Sequence, residues 1–292
     1  MLSSCPYPGI GAALGAAASL FVMMYERLMI GTSAWGSRLG ISEAVILARQ
    51  AFAKGFRNFD TAPTYGAGYS ELVLGRAFAG NHDVRIATKF GQLNETSVRG
   101  LAKKIFRAPG VAGFLSSFQP LSINDRTAPA FWSEAQALRS LSRSEQRLEN
   151  SVRRFFLHSP PIPLLESGLF KDASRFAADI GTMRMGISQL CRADLDRLRS
   201  GIGQSLELLQ MPVDRVIADP VLVQRLREQE VWLNGLFRCA APIEREHGIA
   251  RDALTIKLKE LFKASPRWGL VVGINSTRSL DRLPDIYDTL FS

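Results

Sequence analysis

Cysteine and histidine are scarce, with three of each in 292 residues. Cys5, Cys191 and Cys239 lie far apart and form no CxxC pair, which argues against a disulfide framework and against a structural zinc site. A reducing cytoplasm suits such a chain. Runs of five or more like charges are absent, although Lys and Arg outnumber Asp and Glu by 36 to 27. A basic surplus spread this evenly does not read as a nucleic-acid footprint. It fits a basic surface or a phosphate-bearing cofactor, so neither a nucleic-acid nor a membrane partner is expected. Long apolar runs are also missing. The apolar stretch near the start, Gly9 to Met24, is 16 residues, short of the roughly 20 a spanning helix needs. It has no Lys or Arg before it, unlike a secretory signal. Residues 1–24 are expected to be an N-terminal extension, with the functional chain beginning near Met23 or Met24. The GxGxxG turn of an open dinucleotide-binding sheet is absent as well; Gly31-Thr32-Ser33-Ala34-Trp35-Gly36 is a different sequence.

What is present is an ordinary globular composition, 46% hydrophobic and 22% charged. From about residue 27, short apolar runs alternate with amphipathic stretches, as in successive βα units. The runs predict strands at Leu28–Thr32, Arg57–Asp60, Val84–Lys89, Val152–Leu157, Met183–Ser188, Arg215–Ala218, Val231–Leu233 and Gly269–Val272. Helical patterns separate them, including Ser42–Lys54, Ser70–Phe78, Trp132–Leu148, Val223–Glu228, Ala253–Phe262 and Leu280–Leu290. Weaker patterns fall at Phe170–Ala178, Ala193–Ser200 and Ala241–Glu246. Eight strands with eight helical regions predict a single-domain (β/α)8 TIM barrel over residues 25–292. Gly91 to Ala130 forms an exceptionally long connection after strand 3, expected to be a lid or wall on the catalytic face. It carries a basic amphipathic piece, Val98–Arg107.

Four polar groups recur at comparable points of successive units. Asp60 closes strand 2, Tyr65 follows five residues later, Lys89 closes strand 3 and His158 closes strand 4. In a parallel barrel all such strand ends share one face, so the four are expected to converge. Ionisable groups ending apolar strands are costly unless paired. A phenol with a pKa of about 10 is a poor acid at neutral pH until a cation stabilises its anion. Lys89 is the candidate cation, Asp60 would hold it, and a neutral His158 could orient a carbonyl oxygen. Such a site protonates an oxygen as charge develops on it.

FDTAPTYGAGYSELVLGRAF, ATKFG and FFLHSP, in that order, resemble the aldo-keto reductase superfamily, and its bacterial sugar-dehydrogenase-like branch in particular. The resemblance implies reversible, NAD(P)-dependent reduction of an aldehyde or ketone, or oxidation of an alcohol or sugar. Tyr65 is then general acid, Lys89 its activator, Asp60 the support of Lys89, and His158 the substrate-positioning group. NADP(H) is expected over NAD(H). Gly31, Thr32 and Asp60 would border the nicotinamide, with Trp35 as a pocket wall and Phe237 near the ring. Ser188-Gln189 stands for the usual Ser-Asn grip on the carboxamide. Gly273, Asn275, Ser276, Thr277 and Arg278 would bind phosphate at a helix start, Arg278 meeting the 2′-phosphate. Ile217 and Val221 appear in place of the usual glutamine and asparagine of strand 6, and Leu283-Pro284 in place of a Glu-Asn pair. Arg153-Arg154 occupy positions on strand 4 where an acidic residue is common. Those departures motivate an alternative, a non-catalytic nucleotide-binding or partner-binding barrel. The expected assembly is a monomer or weak homo-oligomer acting on a small carbonyl or sugar.

Overall fold

The computed structural model describes residues 25–91, 132–161, 163, 183–189, 207–217, 219–236 and 251–292. Eight parallel strands close into a barrel in chain order: β1 (Leu28–Gly31), β2 (Asn58–Asp60), β3 (Arg85–Phe90), β4 (Val152–His158), β5 (Arg184–Ser188), β6 (Leu208–Pro212), β7 (Glu230–Asn234) and β8 (Trp268–Gly273). The seam is closed by β1 against β8, Leu28 opposite Leu270 through Gly31 opposite Gly273. The expected (β/α)8 barrel is borne out. Most strand residues are buried because the strands are covered on both faces.

Among the described residues, the outer layer comprises α1 (Ile41–Ala53), α2 (Tyr69–Phe78), α3 (Glu134–Leu148), α4 (Val213–Ile217), α5 (Pro220–Leu226), α6 (Arg251–Ala264), α7 (Thr277–Asp281) and α8 (Leu283–Phe291). Sequence explains their starts: Ser133 and Asp219 accept from the amides of Gln136 and Leu222 at the first turns of α3 and α5. The expected single helix Leu280–Leu290 is two, parted at Arg282 ahead of Pro284. The patterns at Phe170–Ala178, Ala193–Ser200 and Ala241–Glu246, the Gly91–Ala130 connection beyond Gly91, the extension 1–24, and Phe237 all lie outside the described residues.

One strand was misplaced by the sequence reading. Arg215–Ala218 is not strand 6; Leu208–Pro212 is, and Val213–Ile217 turns into α4. The Val-Ile pair has strand character, but Pro212 cannot donate to a ladder, so β6 ends there. The register puts Gln210 opposite Ser188 of β5 and Trp232 of β7. Ile217 lies on α4 and Val221, on α5, is exposed. Neither therefore replaces a strand-6 residue.

The barrel is packed in layers of inward side chains two residues apart along each strand. Met29, Ala87, Phe156, Leu208, Trp232 and Val271 form the middle layer. Gly269 leaves room for it: a Cβ there would lie 2.6 Å from the Trp232 ring. The lower layer is polar. Arg154 Nε donates to Glu230 Oε1 at 2.8 Å, its guanidinium stacks over Trp232, and Arg184 holds the other Glu230 oxygen. Arg154 of β4 and Arg184 of β5 thus share the Glu230 carboxylate of β7. Burial alone would raise the Glu230 pKa, but Arg154, Trp232 and Arg184 together bring it below the usual carboxylate value. A larger apolar shell, from Tyr25 to Leu290, lies between strands and helices.

Candidate active site

The upper layer gathers what the strand ends carry. Asp60 and Lys89, from β2 and β3, are 3% and 2% exposed, and Lys89 Nζ donates to Asp60 Oδ1 at 2.6 Å. The same ammonium donates to the Thr61 carbonyl at 2.9 Å and lies 4.8 Å from the Tyr65 ring centre. Burial pulls the Lys89 pKa down, but the Asp60 carboxylate and the Tyr65 side chain more than reverse this, leaving it above the ordinary lysine value. Lys89 is therefore a permanent cation in a nearly dry site. His158, at the end of β4, is pushed down to about 3 by burial and by the charge of Lys89. Its imidazole is neutral at physiological pH.

Local sequence explains how Tyr65 comes to this spot. Gly66 and Gly68 take left-handed φ angles in the short turn Tyr65–Gly68, and a Cβ on Gly66 would come within 2.6 Å of the Trp35 carbonyl. The turn is thus pressed onto the loop after β1. Behind Asp60, the hydroxyls of Thr32, Thr61 and Ser70 are linked in a buried cluster, Thr32 to Ser70 at 2.5 Å and Thr61 to Ser70 at 3.0 Å. Thr32 also donates to the Asp60 carbonyl at 2.9 Å.

A cavity of about 510 Å³ opens above these groups, and Asp60 and Tyr65 both reach it. Of the residues expected to hold cofactor, Gly31, Asp60, Gln189, Gly273 and Asn275 line it. Gln189 is held at φ +69° with its amide donating to the Gln210 carbonyl at 2.9 Å.

Other expectations are corrected. Trp35 is fully buried and its Nε1 donates to the Ile274 carbonyl at 2.8 Å, so it ties two loops together and is not a pocket wall. Thr32 and Ser188 are fully buried too; the Thr32 hydroxyl is spent on its cluster, and Ser188 Oγ faces the Leu157 carbonyl at 3.4 Å. Ser276 caps α7, exchanging hydrogen bonds with Ser279. Thr277 and Arg278 are exposed and line neither this cavity nor a second one of about 210 Å³ that shares Gly273. The cation on the second cavity is Arg282, beside Ser279.

Sequence reading missed two residues of this layer. Gln210 is 1% exposed; its Nε2 donates to Asp60 Oδ1 at 2.8 Å while its Oε1 has no partner among the described residues. Asn234, ending β7, presents a buried Oδ1 that is equally unpartnered and lines the cavity. A correct register for β6 was the signal that would have found Gln210.

Residues 27–164 match the family model "Aldo/keto reductase family". This segment, just under half of the chain, carries Asp60, Tyr65, Lys89 and His158. A Glycine max protein described as probable aldo-keto reductase 1 is 39% identical over 62 residues, a match spanning 20% of this chain and 18% of that protein. An aldo-keto reductase from Klebsiella pneumoniae, solved with NADPH, superposes with a TM-score of 0.62 at 16% identity, covering 92% of this chain and 87% of its own. A glycerol dehydrogenase from Gluconobacter oxydans gives 0.61 at 16% identity, covering 89% and 86%. At those identities the structural likeness establishes a shared barrel fold over most of the chain. No helix among the described residues is long and apolar enough to cross a membrane.

Proposed function

We propose that the chain is an NAD(P)-dependent oxidoreductase that reduces an aldehyde or ketone, or oxidises the corresponding alcohol or sugar, with Tyr65 as general acid and base. The observation that carries this reading is the Lys89 ammonium, buried between the Asp60 carboxylate and the Tyr65 phenol at the floor of an open cavity. A cation beside the phenol favours the phenolate and so makes the phenol a better acid. A carbonyl oxygen placed against the Tyr65 hydroxyl receives its proton as negative charge grows on that oxygen. In the reverse direction the phenolate takes the proton back. Neutral His158 orients that oxygen without adding a second positive charge. Asp60 keeps Lys89 in place, and Gln210 keeps Asp60 in place.

The residues present suit a nicotinamide dinucleotide, which supplies the hydride when bound. The unpartnered amide oxygens of Gln210 and Asn234 are acceptors awaiting donors in or beside the cavity. At Gly273, which lines both cavities, an added Cβ would find nothing nearer than the Gly31 carbonyl at 3.9 Å, so the absence of a side chain there leaves an open cradle between them. Arg282 on the smaller cavity is the cation suited to a 2′-phosphate, which favours NADP(H). Two Klebsiella pneumoniae aldo-keto reductase structures of the same fold carry NADPH or NADP.

Strand β6 does carry a glutamine, Gln210, which weakens one of the departures that motivate a non-catalytic barrel. The test pairs a fluorescence titration of NADPH and NADH with an aldehyde panel, on wild type and Tyr65→Phe. Turnover by wild type, abolished in Tyr65→Phe while NADPH still binds, is the expected result. Undiminished turnover in Tyr65→Phe rules out the mechanism, and tight nucleotide binding without any turnover restores the non-catalytic reading.

A further inference from the structure

Two formal charges line the large cavity, on Asp60 and Arg38, and they are not equivalent. Asp60 is neutralised by Lys89 at 2.6 Å. The Arg38 side chain makes no hydrogen bond or ion pair among the described residues, although Arg38 lines the same space as Tyr65, Asn234 and Asn275. The lined volume therefore carries one uncompensated positive charge.

The loop bearing Arg38 is held firmly for a surface segment. The Ala34 carbonyl accepts from the amides of Ser37, Arg38 and Leu39 and from the Ser37 hydroxyl, and Gly36 donates back to the Leu39 carbonyl at 2.9 Å. Gly36, at φ +73°, lies so close to α2 that an added Cβ would fall 2.3 Å from Tyr69 Cβ. Trp35 Nε1 pins the loop's other side to the turn after β8. The Arg38 backbone is thus preorganised, and only its side chain must be ordered when a ligand arrives.

From this geometry we infer that Arg38 is an anion-binding residue of the cavity, gripping a phosphate or carboxylate on a ligand that sits beside Tyr65. The inference rests on the proposed reductase site and deepens it. A guanidinium presents a planar fork to the two oxygens of such a group, and Arg38, exposed at the edge of the cavity, can turn that fork toward a ligand inside it. The anion has two possible sources of the same chemistry: the phosphates of the dinucleotide, or an acidic group on the carbonyl substrate.

Arg38→Ala, with Arg38→Lys as the charge-retaining control, separates them. One arm measures the dissociation constant of NADPH by fluorescence at low and high salt. A second compares KM for 4-carboxybenzaldehyde with that for uncharged 4-nitrobenzaldehyde. A third measures binding of inorganic pyrophosphate by calorimetry, which needs no turnover. An NADPH constant about tenfold weaker in Arg38→Ala, with a flatter salt dependence, assigns the anion to the cofactor. An unchanged NADPH constant with KM raised about tenfold for the carboxylated aldehyde alone assigns it to the substrate. Arg38→Lys should recover part of either loss. If neither constant moves by more than twofold and pyrophosphate binds Arg38→Ala as it binds wild type, the inference is wrong. If wild type neither binds NADPH nor reduces either aldehyde, the reductase reading fails instead; pyrophosphate binding that depends on Arg38 would still support the anion site, and its absence would sink that too.

Discussion

Lys89 Nζ lies 2.6 Å from Asp60 Oδ1, two opposite charges from adjacent strands brought together where almost no water reaches. Removing one leaves the other stranded in the barrel mouth. Lys89→Met should lower kcat by about 100-fold or more, the scale of a lost acid–base device. It should also destabilise the fold, because Asp60 retains a neutral donor, Gln210, but loses its counter-ion. Steady-state kinetics and urea unfolding on the same preparation check both effects. A variant with wild-type kcat would show that the pair is structural only.

Gln210 shares the Asp60 oxygen with Lys89. Gln210→Leu is expected to cost about 1.5–3 kcal/mol, the worth of a hydrogen bond to a charged group. Gln210→Glu should cost more, since a second carboxylate would face Asp60 across the same gap. Equilibrium denaturation of the two variants supplies the comparison; equal losses would mean that the amide does not reach Asp60 in solution.

Neutral His158 makes the fold acid-sensitive in a defined window. In the unfolded chain its imidazole takes a proton near pH 6.5, whereas in the barrel it resists until about 3. The unfolded state therefore binds more protons between those values, and the stability contributed by neutral His158 is fully present above about 6.5 and is lost as pH falls toward 3. Urea midpoints at pH 7 and pH 4 should fall less for His158→Gln than for wild type. Parallel losses in the two proteins would contradict the depressed titration.

Arg154 tests the polar floor of the barrel. Arg154→Met retains volume but takes from Glu230 the more buried of its two guanidinium partners. A destabilisation of about 3 kcal/mol is expected, with partial recovery when Glu230→Gln is added. The double variant should leave the upper layer untouched, so kcat ought to be retained if the fold holds. Thermal melts and kinetics of the single and double variants decide this.

Much of the molecule was legible in its sequence, for identifiable reasons. Asp60, Lys89 and His158 stand out because each ends an apolar run with an ionisable group, and a parallel barrel brings such ends to one face. The Tyr65 turn is marked by its glycines. The β6 error arose because LLQMP is short and carries one polar residue, while the nearby Val-Ile pair has stronger strand propensity. Which of the two is the strand depends on pairing with β5 and β7, a non-local fact. Trp35 was misread because its indole N–H found a carbonyl, that of Ile274, some 240 residues downstream. Arg38 and Arg282 gave no periodic signal, since loops and helix junctions have none, and Asn234 ends a strand with an uncharged group. Arg278 and Arg282 are one helical turn apart, and only the fold decides which faces a cavity.

The Trp35–Ile274 link sits above a more basic one, the pairing of β1 with β8, which Arg27 reinforces from below by donating to the carbonyls of Trp268, Phe262 and Ser265. The first and last strands of the barrel are thus partners, and neither half of the sheet can close without the other. A polypeptide cut short of Trp268 would carry β1 and β7 as bare edges, two rows of unsatisfied amides and carbonyls open to other chains. During synthesis the barrel must therefore wait for nearly all of its length, and a companion that shields β1 in the interval would raise the yield of folded protein.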